Sequence, residues 1–248
     1  MGRGAGVGEM SLEEASPAAV GGGHKRELRI ADCGLPIRPQ AAGRPARAFV
    51  ACRMQPVAST SVELLIRLFD IAGSLAILFF ATVVMVLAAL FIKLTSRGPI
   101  LYRQERVGKG GTLFTLYKFR TMIDGAEKHL GPVLASRDDE RVTAVGRILR
   151  RMRLDELPQL YNILRGDMSL VGPRPERPYF VERHQALQGI RLAVKPGLTG
   201  LAQVRSFYDL KPDHKARYDC LYIQNRSLLL NISILLQTIP TLFTRKGW

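Results

Sequence analysis

The chain has 248 residues, enough for one or two domains with a real core. Its 36 Lys and Arg stand against 21 Asp and Glu, giving a net charge of +15 and an isoelectric point near 10.3. A surface this basic attracts nucleic acid, anionic lipid or phosphorylated small molecules. With 7% aromatic residues and no zinc-ligand spacing, helix-turn-helix signature or RNP-like aromatic run, nucleic acid is the weaker partner.

Residues 1–60 are rich in Gly, Ala, Arg and Pro and show no sustained period. They offer too little apolar surface to offset their ordering entropy, so a disordered N-terminal extension is expected, with translation from Met54 as an alternative start. They lack the layout of a secretory signal. Leu75 to Ile92 is the one membrane-length stretch, with no charge in it. At about 1.5 Å per residue it covers roughly 27 Å, the short end for a hydrocarbon core of about 30 Å. Arg67 and Asp70 precede it, and Lys93, Arg97, Arg103 and Arg106 follow. That positive excess places the following domain on the cytoplasmic face.

Ile100–Arg106 and Thr112–Phe119 predict two strands of a hairpin, joined through Gly108, Gly110 and Gly111. Lys118 and Arg120 alternate with aromatics near its end, which sets both cations on one face. A solvated edge has the same pattern. Asp139 to Met152 predicts a helix with Val142, Val145, Ile148 or Leu149, and Met152 on one face. Arg141, Arg147, Arg150 and Arg151 lie on the other, suited to water or to anionic headgroups.

Next comes Arg153-Leu154-Asp155-Glu156-Leu157-Pro158-Gln159-Leu160, two adjacent carboxylates between a basic segment and a helix that Pro158 opens and Gly166 closes. Asp155 as a plain helix cap would contribute about 1 kcal/mol. A cap explains neither the arginines upstream nor Gly172-Pro173-Arg174-Pro175 downstream. In that turn two prolines fix the backbone around one guanidinium, at low entropic cost for clamping a phosphate or carboxylate. Carboxylates among arginines point to chemistry on a phosphorylated substrate through a divalent metal. Residues 176–194 read as helical, and Lys195-Pro196-Gly197-Leu198-Thr199-Gly200 as a loop suited equally to a ligand or to a connection. Leu228 to Phe243 is apolar but interrupted by Asn231, Ser233, Gln237 and Pro240, so it is expected in the membrane interface or against the first helix.

Several ordered motifs now carry a resemblance: Arg67-Leu68-Phe69-Asp70; Tyr102 to Gly108; Tyr117-Lys118-Phe119-Arg120-Thr121-Met122; Leu154 to Leu160; Gly166 to Pro175; and Lys195 to Gly200. In this order, over residues 62–246, the chain resembles the bacterial sugar transferase family, the monotopic phosphoglycosyl transferases. The resemblance implies a membrane-associated α/β enzyme: a re-entrant or membrane-spanning helix, a small β-hairpin, and amphipathic interfacial helices around the active site. Beside the extension of residues 1–60 that the composition reads as disordered, it implies a membrane anchor helix (61–97) and a cytoplasmic transferase domain (98–248), at the bacterial inner membrane. The implied activity moves a hexose-1-phosphate from a UDP-sugar to undecaprenyl phosphate with Mg2+, initiating exopolysaccharide, capsule or O-antigen synthesis.

By the same resemblance Asp155 is the nucleophile, and Glu156 holds the metal or manages the proton, with both carboxylates as metal donors. Arg174, with Pro173 and Pro175, is the clamp for the uridine diphosphate. Lys118, Arg120 and Lys195 are phosphate ligands, and Gln159 supports the dyad. Arg147, Arg150 and Arg151 serve headgroups or the prenyl phosphate. An aspartate among arginines is expected to stay ionised at neutral pH. The partners implied are UDP-sugar, undecaprenyl phosphate and membrane lipid, without nucleic acid; homo-oligomerisation is compatible with the sequence but not required by it. The competing class is a catalytically idle scaffold of polysaccharide assembly. One departure stands out: the family's membrane helix carries a Ser-Pro near its middle, whereas this chain has Phe80-Ala81-Thr82-Val83-Val84. A kinked hairpin is still expected, because Arg67 and Asp70 would pair with a network on the cytoplasmic face.

Overall fold

The apolar stretch lies inside a much longer helix, α1 (Thr60–Thr95), of 36 residues. The computed structural model describes residues 59–126, 139–205 and 212–243, so residues 1–58, Met54 among them, and most of the loop read at 123–138 lie outside the described residues. Ser59 caps α1 by accepting from the Val62 amide, and Glu63 and Lys93 complement the helix dipole at its two ends. No proline interrupts α1. Thr82 Oγ1 instead donates back to the Leu78 carbonyl at 2.6 Å, the local bond that can bend a helix slightly.

One face of α1 is docked on the rest of the domain at both ends. Near its start, Arg67 donates to the carbonyls of Ile163 (2.5 Å) and Leu164 (2.8 Å), and Asp70 accepts from Ser169 Oγ and the Leu170 amide, both at 3.0 Å. Leu78 packs on the central core. Farther on, Met85, Ala88 and Ile92 pack with Phe119 and Leu149. Only about 10 Å of helix separates Leu78 from Met85, far short of a bilayer core of about 30 Å. Both ends of α1 are thus held by one domain, the arrangement expected of a helix that returns to the side it entered from. Arg67 and Asp70 make pairings with that domain, as expected of them.

The opposite face is apolar and bare. Fourteen large apolar side chains of α1 are exposed, with Phe79 and Phe80 at 77% and 80%. At roughly 1.5–3 kcal/mol per side chain fully removed from water, leaving them wet would cost on the order of 10 kcal/mol, comparable to the whole stability of a domain. Lipid is the cover that matches this face.

The hairpin forms as expected: β1 (Leu101–Val107) pairs antiparallel with β2 (Leu113–Phe119), Tyr102 opposite Lys118 and Arg106 opposite Phe114. The helix expected from Asp139 begins later. Val142 pairs with Met122 as an isolated bridge and Thr143 caps the Gly146 amide, so α2 covers only Ala144–Arg151. Gly146 is required there, because a Cβ would collide with the Thr121 carbonyl. Helix α3 (Gln159–Arg165) ends on Gly166 at φ 102°, as the sequence indicates. Strand β3 (Ser169–Val171) pairs in parallel with β4 (Gly197–Thr199), a strand where the sequence indicated only a loop. Of the helix expected at 176–194, α4 (Pro178–Arg183) forms, followed by two short 3-10 turns. The remaining helices are α5 (Leu201–Arg205), α6 (Pro212–Gln224) and α7 (Leu228–Phe243).

The central core gathers Leu116, Leu160, Ile163, Met168, Leu170, Tyr222 and Ile234, from β2, α3, the residue before β3, β3, α6 and α7. Fully buried Asn162 fastens α3 to β2: its Oδ1 accepts from the Tyr117 amide at 3.1 Å and its Nδ2 donates to the Thr115 carbonyl at 2.7 Å. It stands in for the missing next strand of the hairpin.

Two outcomes are expected. Cysteines placed singly at Thr60 and Thr95 both resist a membrane-impermeant thiol reagent in intact cells and both react after permeabilisation; labelling of Thr60→Cys alone in intact cells would establish a span. Asn162→Ala, which orphans an amide and a carbonyl, lowers stability by roughly 2 kcal/mol, measured by thermal unfolding in detergent.

Candidate active site

The two carboxylates occupy a 3-10 turn of their own, Leu154–Glu156, between α2 and α3. Arg153 enters that turn with φ 58°, the one positive φ at a non-glycine among the described residues. A left-handed arginine costs about 1 kcal/mol or more, and it lets the chain reverse between the basic helix and the dyad. The capping role considered for Asp155 is not what the structure shows: Pro158, not Asp155, precedes α3, and α3 has no side-chain cap. Asp155 is 8% exposed instead, and faces cations.

Four elements deliver those cations. Lys118 comes from β2, Arg150 from α2, Arg153 from the turn itself and Arg174 from the Gly172–Pro175 segment after β3. Arg174 Nη2 lies 2.6 Å from Glu156 Oε1, and Arg153 Nη1 lies 3.9 Å from the same oxygen. Burial and the neighbouring Glu156 charge push the Asp155 carboxyl up to about 6, against the pull of Lys118, Arg150 and Arg174. Burial works the same way on Glu156, but there Arg174, with Arg153 and Lys118, outweighs it and holds the carboxyl below its usual range. The two acids are thus driven apart, one kept firmly ionised and the other close to titrating. The arginines expected to hold Asp155 ionised are outweighed by burial and by Glu156, which move its carboxyl toward neutrality. Burial also pushes the Lys118 ammonium down to about 8, although Asp155 favours its charged form.

The floor between Lys118 and Arg174 is the polar face of the hairpin. Lys118 lies 5.0 Å from the Tyr102 ring centre, Gln104 Nε2 donates to Tyr102 Oη at 3.0 Å, and Arg106 Nη2 donates to Gln104 Oε1 at 2.6 Å. Arg106 Nη1 then donates to the Pro175 carbonyl at 3.0 Å. Tyr102, Gln104, Arg106 and Arg153 were not among the residues assigned from sequence. For Tyr102, Gln104 and Arg106 the period-2 spacing in β1 was the available signal, since residues 102, 104 and 106 share a face.

The expected basic cluster is divided. Arg150 turns inward, its Nε donating to Thr121 Oγ1 at 2.7 Å and its charge acting on Asp155, while Arg147 and Arg151 stay exposed. Lys118 and Arg120 do not share a site, because the strand ends between them. Arg120, 5% exposed, donates from Nη2 to the Ser96 carbonyl (3.0 Å) and Ser96 Oγ (2.6 Å), and so holds the end of α1. Lys195 faces Arg67 and Asp70 of α1, and burial lowers its pKa with Arg67 adding to the effect. Gln159 is buried at the first position of α3, and Pro173 and Pro175 are buried on either side of half-exposed Arg174.

Among the described residues no group of three or more His, Cys, Asp or Glu side chains is placed to hold a metal. The donor set is therefore two adjacent carboxylates. That set does not make a closed metal cage, but it fits a hard cation such as Mg2+, which takes one or two carboxylates and fills its sphere with substrate phosphates and water.

A family model described as bacterial sugar transferase matches residues 61–245. An Aeromonas hydrophila protein named UDP-N-acetylgalactosamine-undecaprenyl-phosphate N-acetylgalactosaminephosphotransferase is 45% identical over 169 residues, covering 66% of this chain and 40% of that protein. The undecaprenyl-phosphate galactose phosphotransferase of Salmonella typhimurium is 40% identical over 206 residues, 77% of this chain and 43% of that protein. The chain thus spans about two fifths of the length of these two relatives. A Caulobacter vibrioides protein named UDP-glucose:undecaprenyl-phosphate glucose-1-phosphate transferase is 43% identical over 200 residues, 76% of this chain and 73% of that protein. With the match running from the start of α1 to the end of α7, and through the dyad turn and the Pro-Arg-Pro segment, the chain belongs to the bacterial sugar transferase family.

Proposed function

We propose that this protein transfers a hexose-1-phosphate from a UDP-sugar to undecaprenyl phosphate at the cytoplasmic face of the bacterial inner membrane, with the chemistry carried by residues 98–248. The names of its relatives support the two substrate classes. The observation that carries the reading is the buried, unequal carboxylate pair ringed by cations from four elements. An idle scaffold has no need to bury two acids together.

In this reading an Asp155 carboxylate oxygen attacks the β-phosphorus of the UDP-sugar. The bond from that phosphorus to the bridging oxygen breaks, and UMP leaves with the electron pair. An oxygen of undecaprenyl phosphate then attacks the phosphorus of the aspartyl phosphosugar, releasing the carboxylate and forming the undecaprenyl diphosphate sugar. Arg174 and Lys118 bind and neutralise the donor's diphosphate, so that an anion can approach it. Arg120 is bonded to Ser96 at the end of α1 and Lys195 lies beside Arg67 and Asp70, so neither is assigned to the diphosphate. Glu156, kept ionised by Arg174, is the stronger metal donor and Asp155 the weaker. Bound by these carboxylates, a magnesium ion would neutralise charge on the leaving group. Arg147 and Arg151, exposed on α2, meet headgroups or the prenyl phosphate, and α1 sets the dyad at the depth where that phosphate emerges.

The purified protein is expected to release UMP from UDP-glucose or UDP-galactose in the presence of undecaprenyl phosphate, with loss on chelation and recovery with Mg2+. Asp155→Asn should lower turnover by roughly 10^4-fold; unchanged turnover would remove Asp155 as the nucleophile. The signs of the two shifted groups fix the pH profile. The attacking form of Asp155 appears only above about 6, and the Lys118 cation is lost above about 8. The rate of UMP release in a single turnover should therefore rise through about pH 6 and fall through about pH 8, and Lys118→Arg should move only the alkaline limb, upward.

A further inference from the structure

The two prolines of the Pro-Arg-Pro turn fix φ but offer no N–H, so the turn is anchored to the rest of the fold largely through its carbonyls. Four consecutive carbonyls are each taken from outside. Pro173 accepts from the Gly197 amide at 2.9 Å, Arg174 from Arg191 Nη2 at 2.7 Å, Pro175 from Arg106 Nη1 at 3.0 Å, and Glu176 from the Val107 amide at 3.0 Å. Gly197 is what permits the first, because a Cβ there would collide with the Gly172 backbone.

Of these donors, Arg191 alone acts on the residue that bears the clamp. It is 5% exposed, far from the water a solvating arginine would seek. Its Nε donates to Asp219 Oδ2 at 2.6 Å, and Asp219, on α6, is itself 2% exposed. Its Nη2 also lies 3.6 Å from Glu176 Oε1, which Lys215 of α6 approaches at 3.5 Å. A buried ion pair is a poor investment for stability alone, since apolar residues of similar volume serve as well or better. A guanidinium whose fork is fixed by a carboxylate at one end and aimed at the Arg174 carbonyl at the other is an orienting device.

We propose that Arg191, oriented by Asp219 of α6, is a positioning residue that aims Arg174 at the donor's diphosphate. This rests on the reading of Arg174 as the donor clamp. Asp219 of α6, 44 residues beyond Pro175 in sequence, thereby takes part in donor capture.

The test uses the full chain in nanodiscs, with UDP-sugar and undecaprenyl phosphate varied separately. Asp219→Asn and Arg191→Lys are expected to raise the UDP-sugar KM about tenfold, leaving the undecaprenyl phosphate KM near that of the parent. Because the effect runs through Arg174, Asp219→Asn added to Arg174→Ala should change the donor KM by no more than about twofold. An unchanged donor KM in both single variants overturns the proposal. So do effects that multiply in the double variant, or both KM values rising together with a fallen melting temperature. If Asp219→Asn does not fold, Arg191→Lys, which keeps the charge but loses the fork, carries the same comparison. The underlying reading fails separately, if the parent releases no UMP or if Arg174→Ala matches the parent.

Discussion

Two carboxylates adjacent in sequence and buried together repel each other, and each loses its water. At the effective dielectric of a protein, like charges about 4 Å apart cost roughly 4 kcal/mol. The fold meets this cost with cations drawn from separate elements. The hairpin brings Lys118, α2 brings Arg150, the left-handed residue before the turn brings Arg153, and the segment after β3 brings Arg174. The distribution is uneven. Arg174 and Arg153 favour Glu156, while Asp155 is left with burial as its largest influence. The result is a permanent anion beside one whose charge is easily changed, a division of labour suited to one group that binds and one that reacts.

The same uneven field explains why so much of the chain is spent on placement. Asn162 couples the helix after the dyad to the strand that carries Lys118. The hairpin's polar face runs as a chain of contacts from Lys118 through Tyr102 and Gln104 to Arg106, and ends on the turn that carries Arg174. Both walls of the site are therefore indexed to one strand pair. A displacement of either cation relative to the dyad would have to break this chain or Asn162.

Helix α1 belongs to that framework as much as to the lipid. Asp70, 2% exposed, accepts from Ser169 and Leu170 on the strand that leads into the Pro-Arg-Pro turn. Arg67 takes two carbonyls at the end of α3, and Arg226 pairs with Glu63 from the junction of α6 and α7. The helix that meets the hydrocarbon is thus bonded to the elements on either side of the dyad. The contacts that seat this helix on the domain also hold elements around the dyad.

How much of this was legible in the chain follows from the range of each interaction. The hairpin, the apolar helix, the Gly166 stop and the paired acids rest on local pattern, and neighbours in sequence determine them. The order of motifs carried the family, and with it the roles assigned to Asp155, Glu156 and Arg174. Arg147, Arg150 and Arg151 show where local reading ends: one helical period groups them, yet only packing against Thr121 turns Arg150 inward. Lys118 and Arg120 alternate as a strand should, but the strand stops between them and Ser96 claims Arg120. β4 could not be recognised at Gly197–Thr199, because three residues gain strand geometry only from a partner nearly thirty positions earlier. By itself the sequence determined which groups are charged, which stretch is apolar and which turns are rigid. Only the tertiary structure decided which cations meet the dyad and that both ends of α1 dock on the same domain. Those outcomes depend on contacts between residues far apart in the chain, and no periodicity encodes them.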